Sequence, residues 1–365
     1  MTRITLIDAL KTTATDTSSV SNLTVTADPT GSSNVNADTP LIDGHGRAVS
    51  YLRLSVTDRC DLRCQYCMPK RMTFLPKREL LTYYELEQIS ETFIRRGVDK
   101  IRVTGGEPLL RRDIIPFLER MGRHVKAGSL GEVALTTNGT QLARYAEKLA
   151  AAGVRRINVS LDHLDPEKFL DITRGGDLTN VLNGIKRAKR AGLQIKINTV
   201  ALSGFNLDHV ETMMNWAHGE GHDLTVIEAM PLGDAGSDRD KVFADLRGVK
   251  DILSERYSLK ASSVTTGGPS RYFDVAETGG RIGFISPLSN HFCATCNRVR
   301  LTCTGQLFTC LGHDNGVDLR SIIRSGGDLS AAIDDALFNK PKRHDFDINN
   351  PGALTSNRHM SLTGG

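Results

Sequence analysis

The chain has 365 residues, a length that suits two domains or one large α/β domain with a smaller companion. Its formal charge of +4, from 46 basic and 42 acidic residues, is too small to indicate a nucleic-acid tail or a membrane-binding surface. An aromatic content of 5% also argues against platforms on which nucleic-acid bases stack. We therefore expect neither a nucleic-acid partner nor a membrane partner.

Residues 1–40 contain many Ser, Thr, Asn and Asp residues and little hydrophobic periodicity. Such a segment buries too little apolar surface to offset its conformational entropy, so we predict a disordered lead-in. The chain has no run of eighteen apolar residues, and its first residues lack the pattern of a secretory signal. We therefore expect a cytoplasmic protein.

From Tyr51 onward, apolar β-branched runs alternate with longer amphipathic stretches. Six runs are predicted to be strands: YLRLSVT from Tyr51, KIRVTGG from Lys100, EVALTTNG from Glu132, RINVSLD from Arg156, IKINTV from Ile195 and LTVIEAM from Leu224. The helices predicted between them include Tyr84 to Arg96, Ile114 to Lys126, Gln141 to Ala152 and Asn180 to Arg190. Glycines that permit a left-handed turn follow several helices, at Gly97, Gly128, Gly153 and Gly192.

The distinctive polar segments follow the ends of the predicted strands. They are the first cysteine loop, Gly105 to Pro108, Thr136 to Gly139, Ser160 and Met230. A site supplied by many strand ends is typical of the mouth of a barrel, whereas a doubly wound sheet concentrates its ligand at one switch point. We therefore predict an α/β fold, with an incomplete (β/α)6 TIM-type barrel over residues 41–265 and a C-terminal α+β extension over residues 266–365.

Seven cysteines lie in two groups, which fits metal ligation in a reducing compartment better than a disulfide framework. The first group is Cys60, Cys64 and Cys67, with the spacing Cys-x3-Cys-x2-Cys. Three thiolates leave one iron of a four-iron cubane open to another ligand. A structural zinc site usually has four protein ligands, and no further cysteine or histidine follows nearby. We predict that this loop binds a [4Fe-4S] cluster.

The cysteine spacing, with Tyr66 directly before the last cysteine, resembles the radical S-adenosylmethionine enzymes. The segment from Gly105 to Pro108 is similar to the one that holds the amino group of S-adenosylmethionine in that family. The resemblance implies that S-adenosylmethionine chelates the open iron. Reduction of the cluster would then cleave the sulfonium and produce a 5′-deoxyadenosyl radical.

The second cysteine group consists of Cys293, Cys296 and Cys310, again three ligands. Cys303 lies between them and would complete a zinc ribbon, so the spacing alone leaves a zinc site open. Arg298 and Arg300 alternate beside these ligands, so both side chains point to one face of an extended segment. Two guanidinium groups suit a phosphorylated substrate better than a buried structural metal.

Together the two groups resemble the GTP 3′,8-cyclase family of molybdenum cofactor biosynthesis, often called MoaA. The similar segments run from Leu41 to Gly365 and include YLRLSVTDRC, KIRVTGGEPLLR, TTNG, RINVSLD, CNRVRL and the terminal diglycine. The resemblance implies that a second [4Fe-4S] cluster binds the guanine of GTP and that the radical removes hydrogen from ribose C3′. C3′ would then bond to guanine C8, giving (8S)-3′,8-cyclo-7,8-dihydroguanosine 5′-triphosphate.

The resemblance also assigns individual contacts. Those to GTP fall on Arg53, Arg102, Thr136, Lys196, Arg298 and Arg300, of which Arg53, Arg298 and Arg300 are expected in the catalytic site. Those to S-adenosylmethionine fall on Tyr66, Gly106, Ser160 and Met230. The family implies that Gly364 and Gly365 reach toward the active site and order the arginine at the Arg53 position. Cys303 is expected to be a bystander.

The family implies partners as well: GTP as substrate, cyclic pyranopterin monophosphate synthase (MoaC) as the next enzyme, and an electron donor such as flavodoxin or ferredoxin. A homodimer is a further expectation. One alternative function is a peptide-modifying radical S-adenosylmethionine enzyme with an auxiliary cluster, which normally carries more cysteines in its extension. Another is a zinc-stabilised nucleotide-binding protein, which would be colourless, whereas a brown protein with about eight irons is expected here.

Overall fold

A computed structural model describes residues 39–232, 242–350, 356 and 358–364. The predicted lead-in, residues 1–40, lies outside the described residues except for its last two positions, and Gly365 of the diglycine end also lies outside them. In the described part, none of the helices is long and apolar enough to cross a membrane.

Strands and helices alternate along the first two thirds of the described chain. The strands are β1 (Tyr51–Ser55), β2 (Lys100–Thr104), β3 (Glu132–Thr137), β4 (Arg156–Ser160), β5 (Gln194–Ala201), β6 (Asp223–Glu228), β7 (Leu259–Ala261), β8 (Arg271–Val275), β9 (Arg281–Ile285), β10 (Arg298–Leu301), β11 (Gln306–Phe308) and β12 (Gly316–Asp318). The α-helices are α1 (Tyr83–Arg95), α2 (Ile114–Lys126), α3 (Leu142–Ala151), α4 (Pro166–Thr173), α5 (Leu178–Arg190), α6 (Val210–Gly219), α7 (Leu246–Ser254), α8 (Leu319–Arg324), α9 (Leu329–Phe338) and α10 (Met360–Thr363).

The predicted elements are found at their expected places. The six predicted strands are β1 to β6, and the four predicted helices are α1, α2, α3 and α5, with ends that agree within two residues. The glycines expected to end helices have positive φ angles: Gly97 (89°), Gly128 (74°), Gly153 (86°) and Gly192 (81°). Helix α4 was not predicted; it is short, and the side chain of its N-cap residue, Asp165, accepts the N–H groups of Glu167 and Lys168.

The described strands form one open sheet in the order β12-β11-β10-β1-β2-β3-β4-β5-β6-β9-β8-β7. The pairs from β10 through β1 to β6 and on to β9 are all parallel, and antiparallel strands complete both edges. The incomplete barrel with a C-terminal extension is therefore confirmed. The parallel part of the sheet has two strands more than the six predicted. These are β9 and β10 of the extension, which pair with β6 and β1.

The alternation of side chains along β1 decides which residues reach the interior. Leu52 and Leu54 are fully buried in the main hydrophobic cluster, which also contains Phe93 of α1 and Phe117 of α2. Because successive side chains of a strand point to opposite faces, Arg53 faces away from this cluster. The same rule turns the polar positions of the neighbouring parallel strands toward the interior.

Candidate active site

The structure brings all of the predicted site residues to one cavity of about 490 Å³. Its lining includes Arg53, Cys60, Cys64, Tyr66, Cys67, Arg102, Gly106, Thr136, Ser160, Lys196, Met230, Cys293, Cys296, Arg298, Arg300 and Cys310. These residues come from six parallel strands, the loops that follow them and the C-terminal extension. The loops after β1 and β2 and the ends of β3 and β4 supply part of this set, as expected for the mouth of a barrel, whereas Arg53, Arg102 and Lys196 lie within their strands.

The first cysteine loop is held against the glycine segment that follows β2. The N–H of Gly106 donates to the carbonyl oxygen of Thr57 at 2.7 Å, and the N–H of Glu107 donates to that of Arg59 at 2.7 Å. A Cβ atom on Gly106 would lie 2.3 Å from the Arg59 carbonyl oxygen. This is a steric clash with the backbone, which cannot move aside as a flexible side chain could. Only glycine therefore allows this segment to approach the chain directly before Cys60.

Glu107 connects the glycine segment to the end of β3. Its carboxylate accepts the side-chain hydroxyl of Thr137 at 2.9 Å and the backbone N–H groups of Asn138 at 2.7 Å and Leu109 at 3.0 Å. Burial nevertheless raises the pKa of Glu107 to about 7. Asn138 in turn donates its side-chain amide toward the Cys60 sulfur at 3.6 Å.

The thiols of the first group lie in a negatively charged, buried environment. Burial and the charge of Glu107 raise the pKa of Cys60 to about 12, and burial and the charge of Asp162 raise that of Cys67 to about 12. The Tyr66 hydroxyl donates to Asp162 at 2.7 Å, and burial raises the pKa of Asp162 to about 6. A bound iron atom would have to displace the thiol protons at this site.

The second cysteine group lies among cations. Cys293 begins a short 3-10 turn, and Cys310 follows β11. Burial opposes ionisation of Cys296, but the charges of Lys340 and Arg298 outweigh it and hold the pKa of Cys296 below its usual value. Burial raises the pKa of Cys310, so of these two thiols only Cys296 has a pKa that nearby cations hold below its usual value.

Three arginines form a row across adjacent parallel strands. Arg53 of β1 is the register partner of Arg300 on β10 and of Arg102 on β2. Register partners in a parallel pair point to the same face, so the three guanidinium groups share the interior. Arg300 donates to the carbonyl oxygen of Gly364 at 2.7 Å, and Arg53 donates to the same oxygen at 3.4 Å.

Three buried cations of the cavity have no carboxylate partner among the described residues. Arg102, Lys196 and Arg300 are each at most 9% exposed. Within the described ranges, none of the three forms an ion pair with a carboxylate. Burying positive charge without an anion is costly. The arrangement is therefore suited to a ligand that carries several negative charges.

Lys196 reaches a tyrosine of the extension. Its ammonium group donates to the hydroxyl of Tyr272 at 3.0 Å, and that hydroxyl lies 3.2 Å from the Thr266 side-chain hydroxyl. Burial lowers the pKa of Lys196. The carbonyl oxygen of Thr266 also accepts the ammonium group of Lys100 at 2.7 Å. The loop that contains Thr266 is thus tied to two strands of the barrel.

The remaining predicted residues lie at the cavity without a distinctive local geometry. Thr136 has a buried side-chain oxygen with no hydrogen-bond partner among the described residues. Ser160 ends β4, and Met230 follows β6. Cys303 is fully buried, does not line the cavity, and has its pKa raised to about 12 chiefly by burial.

Sequence reasoning missed several side chains that support the predicted set. They are Lys100, Asp162, Tyr272 and Lys340. Lys100 had a usable signal, because it alternates with Arg102 in one apolar strand. Tyr272 and Lys340 had none, because their partners are 76 and 44 residues away in sequence.

The donor chemistry fits two iron–sulfur clusters. Each group presents three cysteines and borders the cavity, and thiolates are the ligands of such clusters. In the part of the chain that the structure describes, no three His, Cys, Asp or Glu side chains converge on a point that suits one metal ion. In a cubane, each thiolate binds a different iron atom, so its three cysteines need not converge on one point.

Comparison with known proteins adds independent findings. The family model of the radical SAM superfamily matches residues 54–217, and the model described as Molybdenum Cofactor Synthesis C matches residues 222–346. Crystal structures of Streptococcus suis SuiB are similar in fold; the form bound to S-adenosylmethionine gives a TM-score of 0.55 at 16% identity, covering 80% of this chain and 69% of that one. At this identity the likeness concerns the fold alone.

Curated relatives match almost the whole chain. The GTP 3′,8-cyclase of Erythrobacter litoralis (strain HTCC2594) is 56% identical over 332 residues, which cover 90% of this chain and 100% of the relative. That of Brucella canis is 53% identical over 338 residues, covering 91% and 97%. Identity at this level, across both the barrel and the extension, shows that the chain belongs to the GTP 3′,8-cyclase family of the radical S-adenosylmethionine superfamily.

Proposed function

We infer that this protein converts GTP to (8S)-3′,8-cyclo-7,8-dihydroguanosine 5′-triphosphate, the first step of molybdenum cofactor biosynthesis. The relatives that match nearly the whole chain carry this activity in their name. The observation that carries the proposal is one cavity bordered by both cysteine groups and by Arg102, Lys196 and Arg300, three buried cations that pair with no carboxylate of the described residues. The reaction needs the ligands of both clusters and the cations that bind the triphosphate to border the same cavity.

We assign the first cluster to Cys60, Cys64 and Cys67 and the second to Cys293, Cys296 and Cys310. When bound at the first group, the cluster and S-adenosylmethionine would supply the radical that acts on ribose, and the second group would hold a cluster with an iron open to guanine. The residues Tyr66, Gly106, Ser160 and Met230 would border S-adenosylmethionine, and their shared position at the cavity supports this role.

The triphosphate would be bound by the row of arginines and by Lys196. Arginine provides planar paired donors for phosphate oxygens, and lysine provides a compact charge. Arg53, Arg102 and Arg300 lie on neighbouring strands in register, so they are preorganised before the ligand binds. Arg298 lies two residues before Arg300 on β10 and borders the same cavity. Thr136 would donate its unpartnered hydroxyl.

Several expectations about partners belong to the same proposal. The product would pass to cyclic pyranopterin monophosphate synthase, and flavodoxin or ferredoxin would supply electrons. We also propose a cytoplasmic location and a homodimer. The location rests on cysteine usage that requires reducing conditions, since seven unpaired cysteines include two sets of candidate cluster ligands.

The activity test is anaerobic reconstitution followed by dithionite, S-adenosylmethionine and GTP, with mass spectrometry of the products. We expect 5′-deoxyadenosine and the cyclised nucleotide in equal amounts. A Cys310→Ala variant serves as a control, because it removes a ligand of the second cluster and leaves the first loop unchanged. Release of 5′-deoxyadenosine that does not depend on GTP would indicate another substrate.

A further inference from the structure

Lys340 is a buried cation at the second cysteine group. It follows α9 and is 2% exposed. Its ammonium group donates to the Thr309 carbonyl oxygen at 2.6 Å, to the Arg298 carbonyl oxygen at 3.4 Å and toward the Cys296 sulfur at 3.7 Å. All three contacts are therefore with Cys296 or with residues one or two positions from a cysteine of the second group.

These contacts join segments that are distant in sequence. Thr309 directly precedes Cys310, and Arg298 is the second residue after Cys296. The ammonium group therefore links the segment just before Cys310 to the segment just after Cys296. Loss of this side chain would free two candidate cluster ligands from each other.

The ammonium group of Lys340 contacts two carbonyl oxygens and a cysteine sulfur. In the described ranges of the chain, Lys340 forms no ion pair with an aspartate or glutamate. A buried ammonium group without an anion is strongly disfavoured. Two backbone carbonyl oxygens compensate only in part, so a negative charge is needed nearby, and thiolates of a bound cluster would provide it.

The first cysteine group has carboxylates near its sulfur atoms, and Arg63 beside it donates to the Cys60 and Leu62 carbonyl oxygens, not to a sulfur. The Asp61 carboxylate is 4.0 Å from the Cys60 sulfur, and the charges of Glu107 and Asp162 act on Cys60 and Cys67. Net charge and hydrogen bonds to sulfur are two of the factors that set the reduction potential of an iron–sulfur cluster. A lysine therefore lies at the Cys296 sulfur, whereas carboxylates lie near Cys60 and Cys67, so the local charge at the two groups differs.

We propose that Lys340 is a positioning residue and counter-ion of the second cluster, which holds the Cys296 and Cys310 segments together and raises the reduction potential of that cluster. The proposal rests on the assignment of Cys293, Cys296 and Cys310 as cluster ligands. A positive charge beside the sulfur stabilises the reduced, more negative cluster, so the potential rises. The contacts of Lys340 are all with the second group's segments, so we expect the potential of the first cluster to change little with this lysine.

The test compares reconstituted full-length wild type with Lys340→Gln, Lys340→Arg and Lys342→Gln. Glutamine keeps an N–H donor for Thr309 but removes the charge, and arginine keeps the charge. Lys342 is exposed and two residues away, so its substitution is a control with the same change in net charge. Redox titration followed by electron paramagnetic resonance reports the two clusters separately, because S-adenosylmethionine perturbs one signal and GTP the other.

In Lys340→Gln we expect a lower midpoint potential, or selective loss, of the GTP-responsive cluster. The signal that responds to S-adenosylmethionine is expected to stay unchanged, Lys340→Arg to retain both clusters, and Lys342→Gln to match wild type. Unchanged potentials and iron content in Lys340→Gln would overturn the proposal, as would equal changes in both clusters or an equal defect in Lys340→Arg.

Circular dichroism of each holoprotein checks the fold. If Lys340→Gln does not fold, Lys340→Met replaces it, since methionine fills the volume of the lysine stem without charge. Unfolding of both neutral variants would refute a role specific to the cluster. A wild type with only about four irons would instead refute the proposed function, because the second group would then hold no cluster.

Discussion

Arg53 and Arg300 are register partners on adjacent parallel strands, and both donate to the carbonyl oxygen of Gly364. The C-terminal segment therefore contacts the row of cations that we assign to the triphosphate. A Cβ atom on Gly364 would lie 2.1 Å from the Thr104 methyl group, and its φ of 78° is unfavourable for other residues. Glycine is thus required at this position by both space and backbone conformation.

Deletion of Gly364 and Gly365 should abolish cyclisation and leave both clusters in place. The deletion removes the carbonyl oxygen that orients two arginines, and no cysteine is affected. Iron analysis and product analysis of the truncated enzyme check this, and full turnover would contradict it. Gly364→Ala should have a similar effect, whereas Gly279→Ala should not, because a Cβ atom at that positive-φ glycine meets no neighbour within 4 Å.

Tyr272→Phe should weaken GTP binding. The hydroxyl of Tyr272 accepts the ammonium group of Lys196 at 3.0 Å and so fixes its position. Loss of a hydrogen bond to a charged group costs about 1.5–3 kcal/mol, so we expect KM for GTP to rise roughly tenfold to a hundredfold. Steady-state kinetics of both enzymes measure KM for GTP. Tyr257→Phe is the matched control, because its hydroxyl binds Glu211 rather than a cavity residue; an equal rise in both variants would refute the role.

Cys303→Ala should retain both clusters. Its side chain is fully buried outside the cavity, so we expect only a packing loss of about 1 kcal/mol and unchanged iron content. Cys310→Ala should retain about half of the iron, from one cubane. Iron and sulfide analysis distinguishes the two variants. Loss of iron from Cys303→Ala would show that the ligands of the second cluster were assigned wrongly.

Glu107 should make folding stability depend on pH. Burial raises its pKa from 4.5 to about 7 in the folded protein, which therefore binds the proton more tightly than the unfolded chain does. The stabilisation from this group is present below the unfolded pKa and is lost as pH rises through the folded pKa. Urea unfolding of wild type and Glu107→Gln from about pH 5 to about pH 8 measures this contribution. The variant should show a flatter slope, and equal slopes would contradict the prediction.

Arg102→Met should raise KM for GTP without loss of iron. Arg102 is buried and lies beside Arg53 in register, and its side chain binds no carboxylate in the described ranges. Removing one charge-assisted contact to phosphate should cost roughly 2 kcal/mol, or about thirtyfold in KM. Lys168→Met, at an exposed position on α4, is the control. Equal KM values for Arg102→Met and wild type would exclude a phosphate contact.

Local patterns in the sequence determined most of the barrel. Period-two runs such as Lys100 to Thr104 and helical runs such as Ile114 to Lys126 report local structure, and glycines after helices mark where they end. The spacing of Cys60, Cys64 and Cys67 also lies within a short stretch of chain. Such features require no knowledge of distant contacts.

The tertiary structure alone decided how distant segments meet. β9 and β10 pair with β6 and β1, which brings Arg300 beside Arg53, and no local pattern contains that register. Tyr272 reaches Lys196, and Lys340 reaches Cys296, across 76 and 44 residues. Strand pairing and burial depend on the free energy of the whole folded chain, not on any one segment. Only the assembled sheet therefore shows which charged side chains lie together in the interior of the barrel.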